Sequence, residues 1–490
     1  MLSARRDLWV SMGSLMLTMF LAALDQTVVA TALPTIAGEL HGVDSLSWLV
    51  TAFALTSGIS TPLYGKLSDM YGRRRLYLSA IALFLAGSAL CGLATTMGQL
   101  IAFRAFQGIG AGGLMVLTMT IMADIATPAQ RARFQGLFGA VMGVASISGP
   151  LVGGLLTEHV SWRWIFYINL PLGAVALAVA FAVLKLPRRT SPHRIDWLGF
   201  ALISGVLICL TLLAAWGGVT YAWSSPVILG LGVGSAVLLG LFVLVERRVA
   251  EPIVPLRLFA DRTLSLGAAA IVLLATGMLG AATFLATFLQ LVTGVSVSNS
   301  GLLTIPMMAG MVVTSMISGQ FVARVGRYKW FVVAGVLVTA LAAFLFTTMS
   351  AATGAFTCGV YMLIFGAGLG MVMQNLLLGV QSTAPPRDRG AATSAITFAR
   401  GIGGAVGVSI LGAVFTSRLG SGVGSITPAA LDHLSQAARH GLQLAFADAV
   451  TGVFAVLTPL LVLGAVLLAF LPDVRLAAPE PAAEKVGAST

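Results

Sequence analysis

Runs of about 20 apolar residues recur along the whole 490-residue chain, each long enough to cross the ~30 Å hydrocarbon core of a bilayer as a helix. Inside lipid every backbone N–H and C=O must be bonded within the protein, so such runs have few alternatives to helix. Composition agrees: 58% of residues are hydrophobic and 9% charged, against roughly 25% charged in soluble domains. These values exclude a soluble enzyme or binding module, a disordered tail protein and a disulfide scaffold. Cys91, Cys209 and Cys358 lie far apart inside apolar runs, with neither metal nor redox spacing. The first apolar run is too long for a signal-peptide core and reads as a retained helix.

The pattern predicts fourteen spans, near 8–33, 46–67, 76–96, 98–123, 134–157, 162–184, 197–217, 225–245, 264–290, 300–323, 330–349, 354–380, 391–417 and 449–471. An even count puts both termini on one side. With that side inside, the inner loops and tail hold 23 of the 28 Lys and Arg residues, and the outer loops only Arg163, Arg418 and Arg439. This positive-inside bias accounts for the net charge of +11 without nucleic acid. It predicts a multi-pass protein of the cell membrane with cytoplasmic termini. Polar linkers are expected at 185–196 and 246–263. A short surface helix should start at Thr427-Pro428, and the tail from Pro472 should be disordered.

The chain repeats itself. Gly65 to Arg75 (GKLSDMYGRRR) follows span two, and Gly319 to Lys329 (GQFVARVGRYK) follows span ten. Gly108, Gly110 and Gly112 match Gly366, Gly368 and Gly370; Pro128 and Arg131 match Pro386 and Arg389. The repeat pairs spans one to six with nine to fourteen and leaves seven and eight as an insertion. The expected units are a bundle at 1–190, two inserted helices at 191–262, a second bundle at 263–475 and a tail at 476–490.

These residues resemble the major facilitator superfamily, in its fourteen-helix drug:proton antiporter group of QacA/EmrB type. The resemblance spans residues 8–471 and rests on four motifs. Gly65, Asp69, Gly72 and Arg73 are similar to the signature between helices two and three, which in the family latches the halves, with Asp124 at the place of a second acid. Met70 stands where that signature has arginine. Leu24 to Pro34 resembles the first-helix motif, and its Asp25 is the one acid well inside a predicted span. Burial disfavours the charged carboxylate and a nearby cation favours it, which suits a proton carrier. Arg104-Ala105-Phe106-Gln107-Gly108 resembles the helix-four signature. Asp25 and Arg104 lie at depths agreeing within about 5 Å, so the two are expected to couple directly, through Gln107 or through water. Gly136, Ala145, Gly149, Pro150, Gly153 and Gly154 resemble the antiporter signature of helix five, with Ala145 in place of a glycine. In the family that pattern marks exporters.

Trp162 to Pro171 and Arg400 to Gly404 also resemble the group; Arg400 is a second cation within a span and is expected to face the interior. The resemblance implies an all-α membrane fold of two six-helix bundles plus two inserted helices, with substrate held between the bundles. Candidate lining residues are Trp48, Phe53, Gln107, Met115, Phe284, Phe288, Met307, Met308, Gln374, Asn375 and Phe398. Met and Phe repack around varied ligands. The chain has no Walker loop, no metal-ligand spacing and no catalytic triad pattern, so neither cofactor, metal nor enzyme activity is expected. The expected function is proton-coupled export of lipophilic or amphiphilic drugs by a monomer. The alternative is export of a dedicated native metabolite, lipid or siderophore on the same fold.

Overall fold

A computed structural model describes residues 2–41, 45–184, 196–218, 220–249, 252–292, 305–385, 388–419 and 436–475. The linker at 185–195, the start of the helix expected at Thr427-Pro428 and the tail at 476–490 lie outside them. The described chain is helical, with one isolated bridge between Gly217 and Tyr221. In chain order the helices are α1 (Leu2–Glu39), α2 (Leu46–Tyr71), α3 (Arg73–Leu93), α4 (Met97–Ile125), α5 (Pro128–His159), the one-turn α6 (Trp164–Tyr167) and α7 (Asn169–Val183). Then come α8 (Trp197–Trp216), α9 (Pro226–Glu246), α10 (Arg262–Leu291), α11 (Ile305–Val325), α12 (Lys329–Thr347), α13 (Ala355–Thr383), α14 (Arg389–Leu419) and α15 (Gln436–Ala469). A 3-10 turn, Leu256–Ala260, sits in the second linker.

Thirteen of the described helices are apolar enough to span a membrane by composition. The remaining long helix is α2, whose run of Ser, Thr and Gly residues with Lys66 and Asp69 lowers its hydropathy. Several expected boundaries move. α1 runs from Leu2 to Glu39 rather than 8 to 33, and α5 begins at Pro128 rather than 134. α15 begins at Gln436 rather than 449, so it projects beyond the end of α14, and Asp448 meets Arg418 at 3.7 Å where α14 ends. The local sequence starts and stops these helices by ordinary means. Thr127 and Gln130 form a capping box ahead of Pro128 at the start of α5, and Ser225 with Pro226 does the same work for α9. Gly72 joins α2 to α3 at φ +92°, a turn an L side chain rarely adopts.

Small residues set the packing within each bundle. A Cβ on Gly108 or Gly112 would strike the α2 backbone at Phe53 and Ser57, and one on Gly110 would lie 2.5 Å from the Phe84 nitrogen of α3. In the second half Gly366 and Gly370 press on the α11 backbone at Met307 and Met311, and Gly368 lies against Gly335 and Thr339 of α12. The same three-glycine wedge therefore seats α4 between α2 and α3, and α13 between α11 and α12. Within lipid such close approach replaces the hydrophobic driving force that water would supply.

The two bundles meet along two seams. α5 lies along α11: Gly136 approaches Ser315, Gly319 approaches Ala132, and Gly143 approaches Val312 and Met308. α2 meets α14 near the Arg-rich end, where Gly65 faces Ser394 and Gly390, and the Ser394 hydroxyl donates to the Thr61 carbonyl at 3.4 Å. The inserted pair packs outside this second seam. Trp216 of α8 meets Trp48 of α2 at 6.1 Å between rings. Trp223, between α8 and α9, lies against Gly412 of α14.

Candidate functional site

Asp25 sits on α1 with its side chain sealed from solvent. Three donors converge on it. Arg104 Nη1 donates to Oδ2 at 2.5 Å, and Gln107 Nε2 and Asn169 Nδ2 each donate to Oδ1 at 2.9 Å. Arg104 Nη1 also donates to Gln107 Oε1 at 2.9 Å, and Asn169 Nδ2 to Ser88 Oγ at 3.0 Å. The guanidinium lies 4.0 Å from the Phe53 ring centroid and 5.8 Å from that of Phe166. Helices α1, α2, α3, α4, α6 and α7 thus all contribute to one buried charge cluster.

A buried ion pair is tolerated because its partners are hydrogen-bonded, and removing either charge strands the other. Protonating the carboxylate would cancel the attraction for Arg104 and leave the amides of Gln107 and Asn169 with a weaker acceptor. Sequence reasoning brought Asp25, Arg104 and Gln107 together. It missed Asn169, which lies in the Trp162–Pro171 stretch; an amide inside an apolar run was the available signal.

Helix α5 supports this cluster from the side. Thr27 Oγ1 donates to the Ala145 carbonyl at 3.2 Å. A Cβ on Gly149 would strike Thr27, and one on Gly153 would lie 2.9 Å from the Val28 carbonyl oxygen. Gly154 points into open space, and Pro150 lies within the continuous helix. One end of the glycine face, Gly136, therefore touches the other bundle, while Gly149 and Gly153 grip the helix that carries Asp25.

A second charge cluster joins the bundles at the Arg-rich end. Arg73 donates to Asp69 at 2.9 Å and also pairs with Asp124. Arg389 of α14 reaches across to Asp124 at 3.9 Å and donates to the Ala123 carbonyl at 3.3 Å. Asp69 itself lies beside Gly390. The cross-bundle partner Arg389 was visible only as the repeat mate of Arg131. Gln135 Nε2 of α5 donates to Gln381 Oε1 of α13, also between the bundles, at 3.4 Å. At the opposite end Glu39 clips α1 to the turn before α6. It accepts from Arg163 at 2.5 Å and from the Trp162 indole at 2.8 Å. The hydrogen bond from Arg163 holds the Glu39 carboxyl below its ordinary range.

The expected lining residues divide. Phe53 and Gln107 belong to the Asp25 cluster, and Trp48 packs on the inserted helix α8. Phe288 and Met307 are buried in the core, Phe284 stacks on Phe415 at 5.2 Å, and Asn375 donates to Ser318 at 3.0 Å. Met115, Met308, Gln374 and Phe398 are half-buried; Met115, Met308 and Gln374 approach the opposite bundle. A cleft of about 320 Å³ opens elsewhere, between the 3-10 turn and the junction of α13 and α14, beside Arg257 and Asp388.

Matched helical bundles, closed on each other at one end and carrying a sealed ion pair in one of them, have the architecture of a multi-pass membrane transporter. The chain belongs to the Major Facilitator Superfamily, which it matches over residues 15–408. It is 42% identical over 408 residues to the multidrug transporter protein MdtP of Bacillus subtilis, covering 83% of this chain and 75% of that one. It is 37% identical over 412 residues to multidrug resistance protein 3 of the same organism, covering 83% and 80%. Among solved structures, the proton:xylose symporter XylE superposes with a TM-score of 0.65 at 15% identity, covering 96% of this chain and 97% of that one; this likeness concerns the fold.

Proposed function

We propose that the chain exports lipophilic or amphiphilic compounds across the cell membrane in exchange for protons, by alternating access between its two bundles. The observation that carries this reading is the sealed Asp25 cluster, a titratable carboxylate held by donors from several helices and gripped by the glycine face of α5. The names of its multidrug-transporting relatives support drug efflux. Residues 1–190 and 263–475 form the moving units of a monomer, 191–262 the inserted pair, and 476–490 a tail. The Arg-rich end, with both termini, faces the cytoplasm.

A proton arriving from outside neutralises Asp25 and loosens its hold on Arg104, which favours release of cargo. Loss of that proton inward re-forms the ion pair. Asp69, Arg73, Asp124 and Arg389 latch the cytoplasmic end while the outer end is open, and must part for the inward-facing state. One proton crossing 100 mV supplies about 2.3 kcal/mol, and one pH unit adds about 1.4 kcal/mol. Together they sustain roughly a few-hundred-fold gradient of a neutral compound.

The test is uptake of a fluorescent lipophile of fixed charge into proteoliposomes under an imposed pH gradient. Asp25→Asn should abolish gradient-driven accumulation per folded molecule, beyond the loss of melting temperature that stranding Arg104 brings. Undiminished accumulation by that variant would remove Asp25 from the mechanism.

A further inference from the structure

We infer that Arg400 is an anion-recognition residue in the substrate path, so that preferred cargo carries an acidic group on an apolar body. This rests on the transport reading above and adds the charge class of its substrate.

Arg400 lies eleven residues along α14, about 16 Å from its basic end, close to the middle of the membrane. Its Nη2 reaches across the seam to Met115 Sδ of α4 at 3.9 Å, and among the described residues it forms no ion pair. Met115 sits ten residues from the basic end of α4, at the same depth. A thioether is a weak acceptor and leaves the guanidinium without a counter-charge. Intramembrane arginines normally find one, because the unpaired ion is costly there. Arg104 has Asp25; Arg400 has sulfur.

Two further facts bear on what would fill that role. Asp25 is sealed from solvent and already held by Arg104, Gln107 and Asn169, so it presents no exposed carboxylate edge to a cationic drug. Gln374 of α13, nine residues from that helix's basic end, also faces the other bundle at Gly139, and its Oε1 is buried without a hydrogen-bond partner. The second bundle thus presents a cation and an amide at one depth, with Met115 of the first bundle as an apolar neighbour of the cation. A carboxylate, sulfonate or phenolate on a lipophilic ring system matches that chemistry; a quaternary ammonium does not.

The test is equilibrium binding to purified protein in nanodiscs, without any proton gradient, so its outcome does not depend on the role of Asp25. Three fluorescent probes share a pyrenylbutyl body and end in a sulfonate, an alcohol or a trimethylammonium group. Wild type should bind the sulfonate at least about tenfold more tightly than the alcohol, the least expected of a charge-assisted hydrogen bond. It should bind the ammonium most weakly. Arg400→Gln should bring sulfonate and alcohol within about twofold, and Arg400→Lys should keep part of the preference. Wild type that binds alcohol or ammonium as well as sulfonate overturns the inference, as does Arg400→Gln with its preference intact. Should Arg400→Gln fail to fold, the wild-type ranking and Arg400→Lys decide. Absence of binding by all three probes overturns the lipophile site itself.

Discussion

Asp25 and Arg104 show what a single buried charge demands. Each is stable in lipid only because the other is present, and the amides of Gln107 and Asn169 donate to the second carboxylate oxygen. Arg104→Gln alone should therefore destabilise the protein by about 3–5 kcal/mol, read as thermal melting in detergent. Asp25→Asn with Arg104→Gln should recover most of that loss yet show no transport driven by a pH gradient. A double variant as unstable as Arg104→Gln would mean the two residues do not act as a pair. Charged residues in apolar runs stand out in a sequence, which is why this pair was legible. Asn169 was not, because a neutral amide beside Trp162, Trp164 and Tyr167 looks like interfacial decoration until α7 turns it toward Ser88 and Asp25.

Helix α5 works through what it lacks. Its glycines bring backbone against backbone on two neighbours at once, α11 on one face and α1 on the other. Gly153→Leu should push α1 outward and cost about 1–3 kcal/mol, whereas Gly154→Ala, which meets open space, should stay within about 0.5 kcal/mol of wild type. Equal melting temperatures for both variants would show that the glycine face bears no load. The sequence pattern Gly136, Gly149-Pro150, Gly153-Gly154 identified this helix as a close-packing one. It did not say which glycine meets which neighbour, since that depends on helix rotation, which is set by partners distant in the chain. The direction of the lining candidates depends on the same rotation: Phe53 covers Arg104, and Trp48 meets Trp216.

The two bundles are joined by a seam that has to open if cargo is to pass. Gln135 and Gln381, hydrogen-bonded across it at 3.4 Å, offer a place to lock it. With Cys91, Cys209 and Cys358 replaced by serine, Gln135→Cys and Gln381→Cys joined by a short reducible cross-linker should halt transport, and reduction should restore it. Transport that persists in the cross-linked protein would mean that this end never separates. Helix α8 and the segment that joins it to α9 brace the outside of the α2–α14 seam through Trp48–Trp216 and Trp223–Gly412, touching both bundles at once.

Hydropathy and spacing alone determined that this chain is a membrane protein of many helices, that its halves repeat, and which charges lie in lipid. Those properties follow from the cost of an unpaired polar group in hydrocarbon, which each segment meets by itself. Tertiary structure alone decided which helix faces meet, that Asn169 joins Asp25, that Arg389 crosses to Asp124, and that Arg400 reaches the Met115 sulfur. Such pairings come from close packing between residues up to several hundred positions apart, and a one-dimensional pattern carries the period of a helix without its rotation or its neighbours.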